Sequence, residues 1–221
     1  MKLNRNLGAL AAAAALLAMT GCATQKTPFD YTAYKQSRPS SILVLPPVNN
    51  SPEVQVTHSM LSYATVPLAE AGYYVLPVTL VAEAFKENGM TQPNDMHATS
   101  ADKLRQIFGA DAALYITINK YGTSYLVVSS ASVVSAEAKL VDLKTGKLLW
   151  NGAAFASSEE GQNQSQGGLA ALLITAIVKQ VMATTLDQSH RVAGVATARL
   201  LSGGMPNGVL YGPRSPNFGK D

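Results

Sequence analysis

The sequence predicts an α/β (α+β) domain: a mixed β-sheet with helices packed on it and an antiparallel hairpin. Three observations carry this expectation. From Ile42 to Asn119, short β-prone runs and helical stretches follow in the order β-α-β-α-α-β, which suits crossover connections onto a shared sheet. From Tyr125 to Leu143 the chain turns β-rich, with Ala136, Ala138 and Leu140 on one face and Glu137 and Lys139 on the other, as in a half-solvated antiparallel ribbon. With 221 residues, 47% hydrophobic and 14% charged, the chain supports one core of ordinary size.

The first element stands outside that core. Lys2 and Arg5 precede an apolar run from Leu7 to Met19 and then small residues, the three-part plan of a secretory signal over residues 1–21. The run falls short of the ~20 residues a helix needs to cross ~30 Å of hydrocarbon, so it does not read as a membrane span. Thr20-Gly21-Cys22 resembles the lipobox of bacterial lipoproteins, with Met19 where Leu is commoner. The resemblance implies cleavage before Cys22, a diacylglycerol thioether on it and N-acylation. Two or more chains anchor where one is marginal, because each buried CH₂ contributes ~0.8 kcal/mol. By the same resemblance, Ala23 in place of Asp implies sorting to the outer membrane, at its periplasmic face. An ordinary signal cut near Gly21, with Cys22 incidental, is the alternative.

Composition narrows the function classes. Without Lys2 and Arg5 the charge balance is 15 basic to 14 acidic residues, with no block of like charge to follow a phosphate backbone, so no nucleic-acid partner is expected. Cys22 is the only cysteine: an intrachain disulfide is impossible, and a lipidated Cys22 leaves no thiol for catalysis or metal.

Residues 22–41 read as the lipidated cysteine and a polar tether able to reach ~60 Å at ~3.3 Å per residue, with Phe29, Tyr31 and Tyr34 either free or laid on the domain or the headgroups. A single α/β domain is expected over residues 42–201. Ile42–Leu45 is a strand stopped by Pro46-Pro47. A helix from about Thr57 to Ala71 carries Met60, Leu61, Ala64 and Leu68 at helical spacing, with a kink at Pro67. Tyr73–Pro77 is the next strand, and Thr79 caps a short helix to Asn88-Gly89. A loop follows from Met90 to Thr99. Ser100 caps a helix with Leu104, Ile107 and Phe108 inward and Gly109 as its stop. Ala112–Asn119 is the third strand, and the helices are expected on one face of the sheet.

Lys144-Thr145-Gly146 turns the β-rich run into a second strand from Lys147 to Ser157. After a polar loop from Glu159 to Gly168, Leu169–Leu186 reads as an apolar helix, either central to the core or partly lent to a partner. Arg191–Leu201 reads as a last strand. Residues 202–221, with five glycines and three prolines, read as a mobile tail or a segment that orders on a partner.

The run LVDLKTGKLLW from Leu140 to Trp150 places an Asp-x-x-Thr-Gly turn between two strands, the second ending in Trp. It resembles a hairpin of envelope proteins such as the N-terminal domain of TolB and the curli secretion lipoprotein CsgG. Taken with the lipobox, ILVLPP, YYVLP and FGAD, the chain resembles a family of bacterial lipoproteins of unknown function, first catalogued as genome-derived surface antigens. The resemblance implies an envelope protein partner, a CsgG-like lipoprotein among the candidates, and supplies no active site.

Chemistry is sparse. His58, His97 and His190 are far apart, without an HExxH pattern or cysteines to complete a metal set, so no metal is expected. Asp95 and His97 share a loop, where a solvated turn is the commoner outcome. GxSxG, Walker A and GxGxxG are all missing, so no cofactor and no catalytic residue are assigned. Gly161–Gly168 before a helix could hold an anion at the helix N-terminus, although such loops usually only connect. Glu159 and Glu160 are sequence neighbours that rarely face one reacting atom. The expected function is a non-enzymatic, lipid-anchored interaction module of an outer-membrane secretion or envelope assembly. The rival is an envelope hydrolase or small-ligand-binding lipoprotein, which needs a pocket of convergent polar groups.

Overall fold

A computed structural model describes residues 29–53, 56–125, 130–160 and 188–220. The signal residues, Cys22, the loop before Gly168 and the expected helix Leu169–Leu186 lie outside the described residues.

The sheet is mixed, as the alternation requires. Strands β1 (Ser41–Val44), β2 (Val48–Asn49) and β3 (Tyr74–Val75) join β4 (Ala112–Tyr125), β5 (Ser130–Asp142) and β6 (Leu148–Ser157) in the order β3-β1-β4-β5-β6. β1 is parallel to both β3 and β4, while β4, β5 and β6 are successively antiparallel. Pro46 and Pro47 interrupt the first strand because neither offers an N–H. Pairing with β4 resumes two residues later, at β2.

β1 is apolar on both faces, and this decides the layers. Ile42, Leu43, Val44 and Leu45 have no exposed surface, so both sides of the sheet must be covered here. Ile42 and Val44 pack with Leu114, Ile116 and Ile118 against helix α2 (Val56–Glu70) and helix α6 (Gln188–Leu201). Leu43 and Leu45 pack with Tyr115 against Val81 and Phe85 of helix α3 (Val78–Glu87), Met96 of α4 (Pro93–His97) and Leu104 of α5 (Ala101–Phe108). The helices therefore cover both faces, not one. Toward β5 the second face is wet: Glu137 and Lys139 are exposed while Ala136, Ala138 and Leu140 are buried.

Several local expectations hold. Ser100 caps α5 by accepting from the Lys103 amide, and Gly109 closes it in the left-handed region. α2 spans the expected residues with Pro67 inside it. Others shift. α3 starts at Val78 after Pro77, so Thr79 lies inside the helix and does not cap it. The expected loop Met90–Thr99 contains α4, opened by Pro93 at its first turn. Ile107 is about half exposed rather than inward.

Two segments differ in kind. The expected strand Arg191–Leu201 is the helix α6, whose Val192, Ala196 and Leu200, at four-residue spacing, face α2 and the sheet. Val192, Val195 and Thr197 suggest a strand by propensity, but five alanine and leucine side chains buried together require the helical period. Thr197 loses nothing there, because its hydroxyl donates to the Ala193 carbonyl at 2.8 Å. The segment from Ser202 to Lys220 is no free tail. It folds back over the domain and buries Val209 and Leu210 in the main core. Its glycines serve close approach: a Cβ on Gly212 would lie 2.6 Å from the Gly72 carbonyl oxygen.

The polar stretch before Ser41 is likewise part of the domain from Phe29 onward. Helix α1 (Thr32–Ser37) buries Tyr34 to 3% exposure. Phe29, Tyr31 and Tyr34 form an edge-to-face series with centroids 5.0 and 6.2 Å apart. Of the open placements for these rings, they take the one on the domain.

Candidate functional site

The chain's two flanks meet. The Phe29 amide donates to the Asn207 side-chain oxygen at 3.0 Å, and the Tyr31 hydroxyl donates to the Gly208 carbonyl at 2.6 Å. Asn207 is left-handed, a conformation its short amide tolerates, and its carbonyl accepts the Trp150 indole N–H at 2.9 Å. The Trp that ends the hairpin motif thus holds the C-terminal segment. Farther along, Gly212 and Arg214 donate backbone bonds to Ala71 and Gly72.

Two aspartates tie down the chain that leads into the sheet, Asp111 at the start of β1 and Asp142 at Ser37, the last residue of α1. Asp111 of FGAD accepts from the amides and hydroxyls of Ser40 and Ser41 at 2.7–3.0 Å. Asp142 of the hairpin turn accepts from the Lys144 and Thr145 amides at 2.8 and 2.6 Å, from the Thr145 hydroxyl at 2.9 Å and from the Ser37 hydroxyl. Burial pushes both carboxyls up, but the combined hydrogen bonds outweigh it and hold them below the ordinary carboxylate range. Both carboxylates are structural ties: Asp111 of FGAD holds the start of β1, and Asp142 of the hairpin holds its own turn and the end of α1.

Between α1 and the C-terminal segment lies a cleft of about 230 Å³, lined by Tyr34, Lys35, Arg38, Pro39, Tyr73, Leu210, Tyr211, Phe218 and Gly219. The Tyr73 hydroxyl donates to the Leu210 carbonyl at 2.7 Å and lies 2.8 Å from the Tyr34 hydroxyl, which ties the cleft's floor to the core. Arg38 ends α1 in the left-handed region, with φ 47°, and its guanidinium lies 5.1 Å from the Phe218 ring centroid. Sequence reasoning missed this cleft, since its walls come from the two segments read as tether and tail.

The residues weighed for chemistry do not converge. His58 is exposed on α2. His97 is half-buried, with Nε2 2.9 Å from the Pro46 carbonyl and its ring against Tyr115. Burial lowers its pKa, and Lys139 adds to the lowering. Asp95 is exposed, and among the described residues no hydrogen bond or ion pair joins it to His97. His190 Nδ1 lies 2.7 Å from the Ser59 hydroxyl with its ring 4.8 Å from Tyr63, and among the described residues no carboxylate bonds it. Glu159 is exposed, whereas Glu160 accepts from the Ser157 amide and pairs with Arg199 at 2.6 Å, tying α6 to β6. Among the described residues no three potential ligands gather for a metal, and no helix is long and apolar enough to cross a membrane.

The described residues form a mixed-sheet α/β domain closed by its own flanks. The chain belongs to the GNA1162-like family, described as "Putative lipoprotein GNA1162-like", whose model matches residues 29–214. It is 50% identical over 202 residues to "Putative lipoprotein NMB1124/NMB1162" of Neisseria meningitidis serogroup B, covering 91% of this chain and 93% of the relative. The crystal structure of lipoprotein GNA1162 from Neisseria meningitidis is similar at 51% identity and a TM-score of 0.54, over 66% of this chain and all of that one. The family model and both relatives carry the description of lipoproteins.

Proposed function

We propose that the chain is a lipid-anchored interaction module, an accessory lipoprotein of an outer-membrane secretion or envelope assembly. In this reading residues 1–21 direct export, Cys22 carries the lipid, and the domain stands at the periplasmic face of the outer membrane. The observation that carries it is that Phe29, only seven residues after Cys22, is already bonded to Asn207 of the domain, in a chain whose family is described as lipoproteins. That spacing limits the reach from the lipid to ~25 Å, at ~3.3–3.6 Å per residue, rather than the ~60 Å of a tether ending at Ser41. A domain held so near the bilayer suits a partner that is itself in the membrane. A CsgG-like lipoprotein is the first such partner to test.

The test is the intact mass and fractionation of the membrane-extracted protein beside Cys22→Ser, followed by cross-linking in whole cells. A lipid-sized mass increase on a chain starting at Cys22, lost together with membrane retention in the variant, is expected, with one envelope protein recovered from the wild type alone. An unmodified soluble chain, or cross-links indifferent to the anchor, would overturn the proposal.

A further inference from the structure

We propose that the cleft between α1 and the C-terminal segment binds a small amphiphilic anion, an aromatic or short aliphatic body with one carboxylate or phosphate head. The lining joins apolar walls from Tyr34, Tyr73, Leu210 and Phe218 to two cations, Lys35 and Arg38, and holds no carboxylate among the described residues. A volume of about 230 Å³ has room for roughly eight water-sized groups, at ~30 Å³ each, which suits a ring and a head but not a long acyl chain. An apolar floor selects against a bare inorganic anion, and paired cations select against a neutral body.

Arg38 is set for the head. Its guanidinium lies over the Phe218 ring, 5.1 Å from the centroid, and its planar fork of N–H donors is the geometry that grasps a carboxylate or phosphate bidentately. Among the described residues neither Arg38 nor Lys35 forms an ion pair or a side-chain hydrogen bond. Arg38 also occupies a left-handed backbone position that a residue other than glycine seldom takes, which fixes where the side chain leaves the helix. Lys35 lies one helical turn earlier, and its backbone amide is bonded to the Tyr31 carbonyl.

The test uses the mature chain with Cys22→Ser, titrated with phenyl phosphate and 3-phenylpropionate by calorimetry and by amide NMR. Benzyl alcohol serves as the neutral body and inorganic phosphate as the bare head. Binding of the two amphiphilic anions is expected, with amide shifts at Phe218 and Gly219 and binding about tenfold weaker or lost for both controls. Arg38→Gly keeps the left-handed turn while removing the guanidinium, and Lys35→Gln keeps the helix. Each should weaken binding about tenfold with an unchanged unfolding midpoint. A second arm separates the sources of the anion. Co-sedimentation with phosphatidylglycerol vesicles but not phosphatidylcholine vesicles, lost in the double variant, assigns a lipid headgroup. Phenyl phosphate binding without sedimentation assigns a soluble ligand. Absence of both, or binding indifferent to the two substitutions, would overturn the proposal.

Discussion

Asp142→Ala tests whether the hairpin turn is the tie that holds the end of α1. The carboxylate is 6% exposed and accepts four hydrogen bonds, three within its own turn and one from Ser37 across 105 residues. Hydrogen bonds to a charged group contribute ~1.5–3 kcal/mol each when no substitute exists, but the freed hydroxyls of Thr145 and Ser37 can turn to water. The two amides then dominate the loss, which is about 3 kcal/mol for Ala, against a whole-domain stability of ~5–15 kcal/mol. Asn keeps one acceptor oxygen for the turn and gives up the charge and the Ser37 bond, so about half that loss is expected. Trp150, the only tryptophan and 1% exposed, reports unfolding directly. Urea denaturation of the Cys22→Ser chain, with the slope unchanged, gives both values. The pH dependence has a definite sign. The folded carboxyl sits below its ordinary 3.8, so its contribution is complete above that value and disappears as pH falls through the lowered one. The difference between wild type and Asn should therefore shrink in acid. Losses below ~0.5 kcal/mol for Ala, or equal losses for Ala and Asn, would refute the reasoning.

Two further outcomes follow from the packing. Gly72→Ala places a Cβ 2.4 Å from the Ser215 amide nitrogen at a φ of +95°, so the C-terminal segment should lift away, and trypsin should cut after Arg214 in the variant while sparing wild type. His97 has its pKa lowered by burial, so the unfolded chain takes up its proton first. Stability should fall as pH drops below about 6.5, and His97→Gln should flatten that part of the urea-midpoint profile between pH 7.5 and 5.5; parallel profiles would show that His97 is not held neutral.

What was legible in the sequence was local. Ser100 and Gly109 mark a helix by cap chemistry that acts within one turn, and the Asp142 turn and the alternation from Ala136 to Leu140 are written in neighbouring residues. Arg191–Leu201 was not legible, because β-branched residues favour a strand until the buried face shared with α2 is known. Residues 202–220 look flexible by composition, yet Gly212 answers to Gly72, a position that no window along the chain brings near it. The cleft suffers most from this: Arg38, Tyr73 and Phe218 meet only once both flanks have docked. The spread of the histidines is the one feature of the chemistry that a linear reading could foresee.

The staple at Asn207 sets an order of events for a chain delivered from its N-terminus. Phe29 and Tyr31 find their partners 178 and 177 residues later, β1 waits for Asp111, and the end of α1 waits for Asp142. Such sequence-distant contacts place folding at the slow end for a domain of this size. Until residues 207–212 arrive, Phe29 and Tyr31 lack Asn207 and Gly208, and Tyr73 lacks the Leu210 carbonyl. A chain made from its N-terminus therefore stays open until its last residues exist, and shortening that interval is a lever on yield that leaves every native contact untouched.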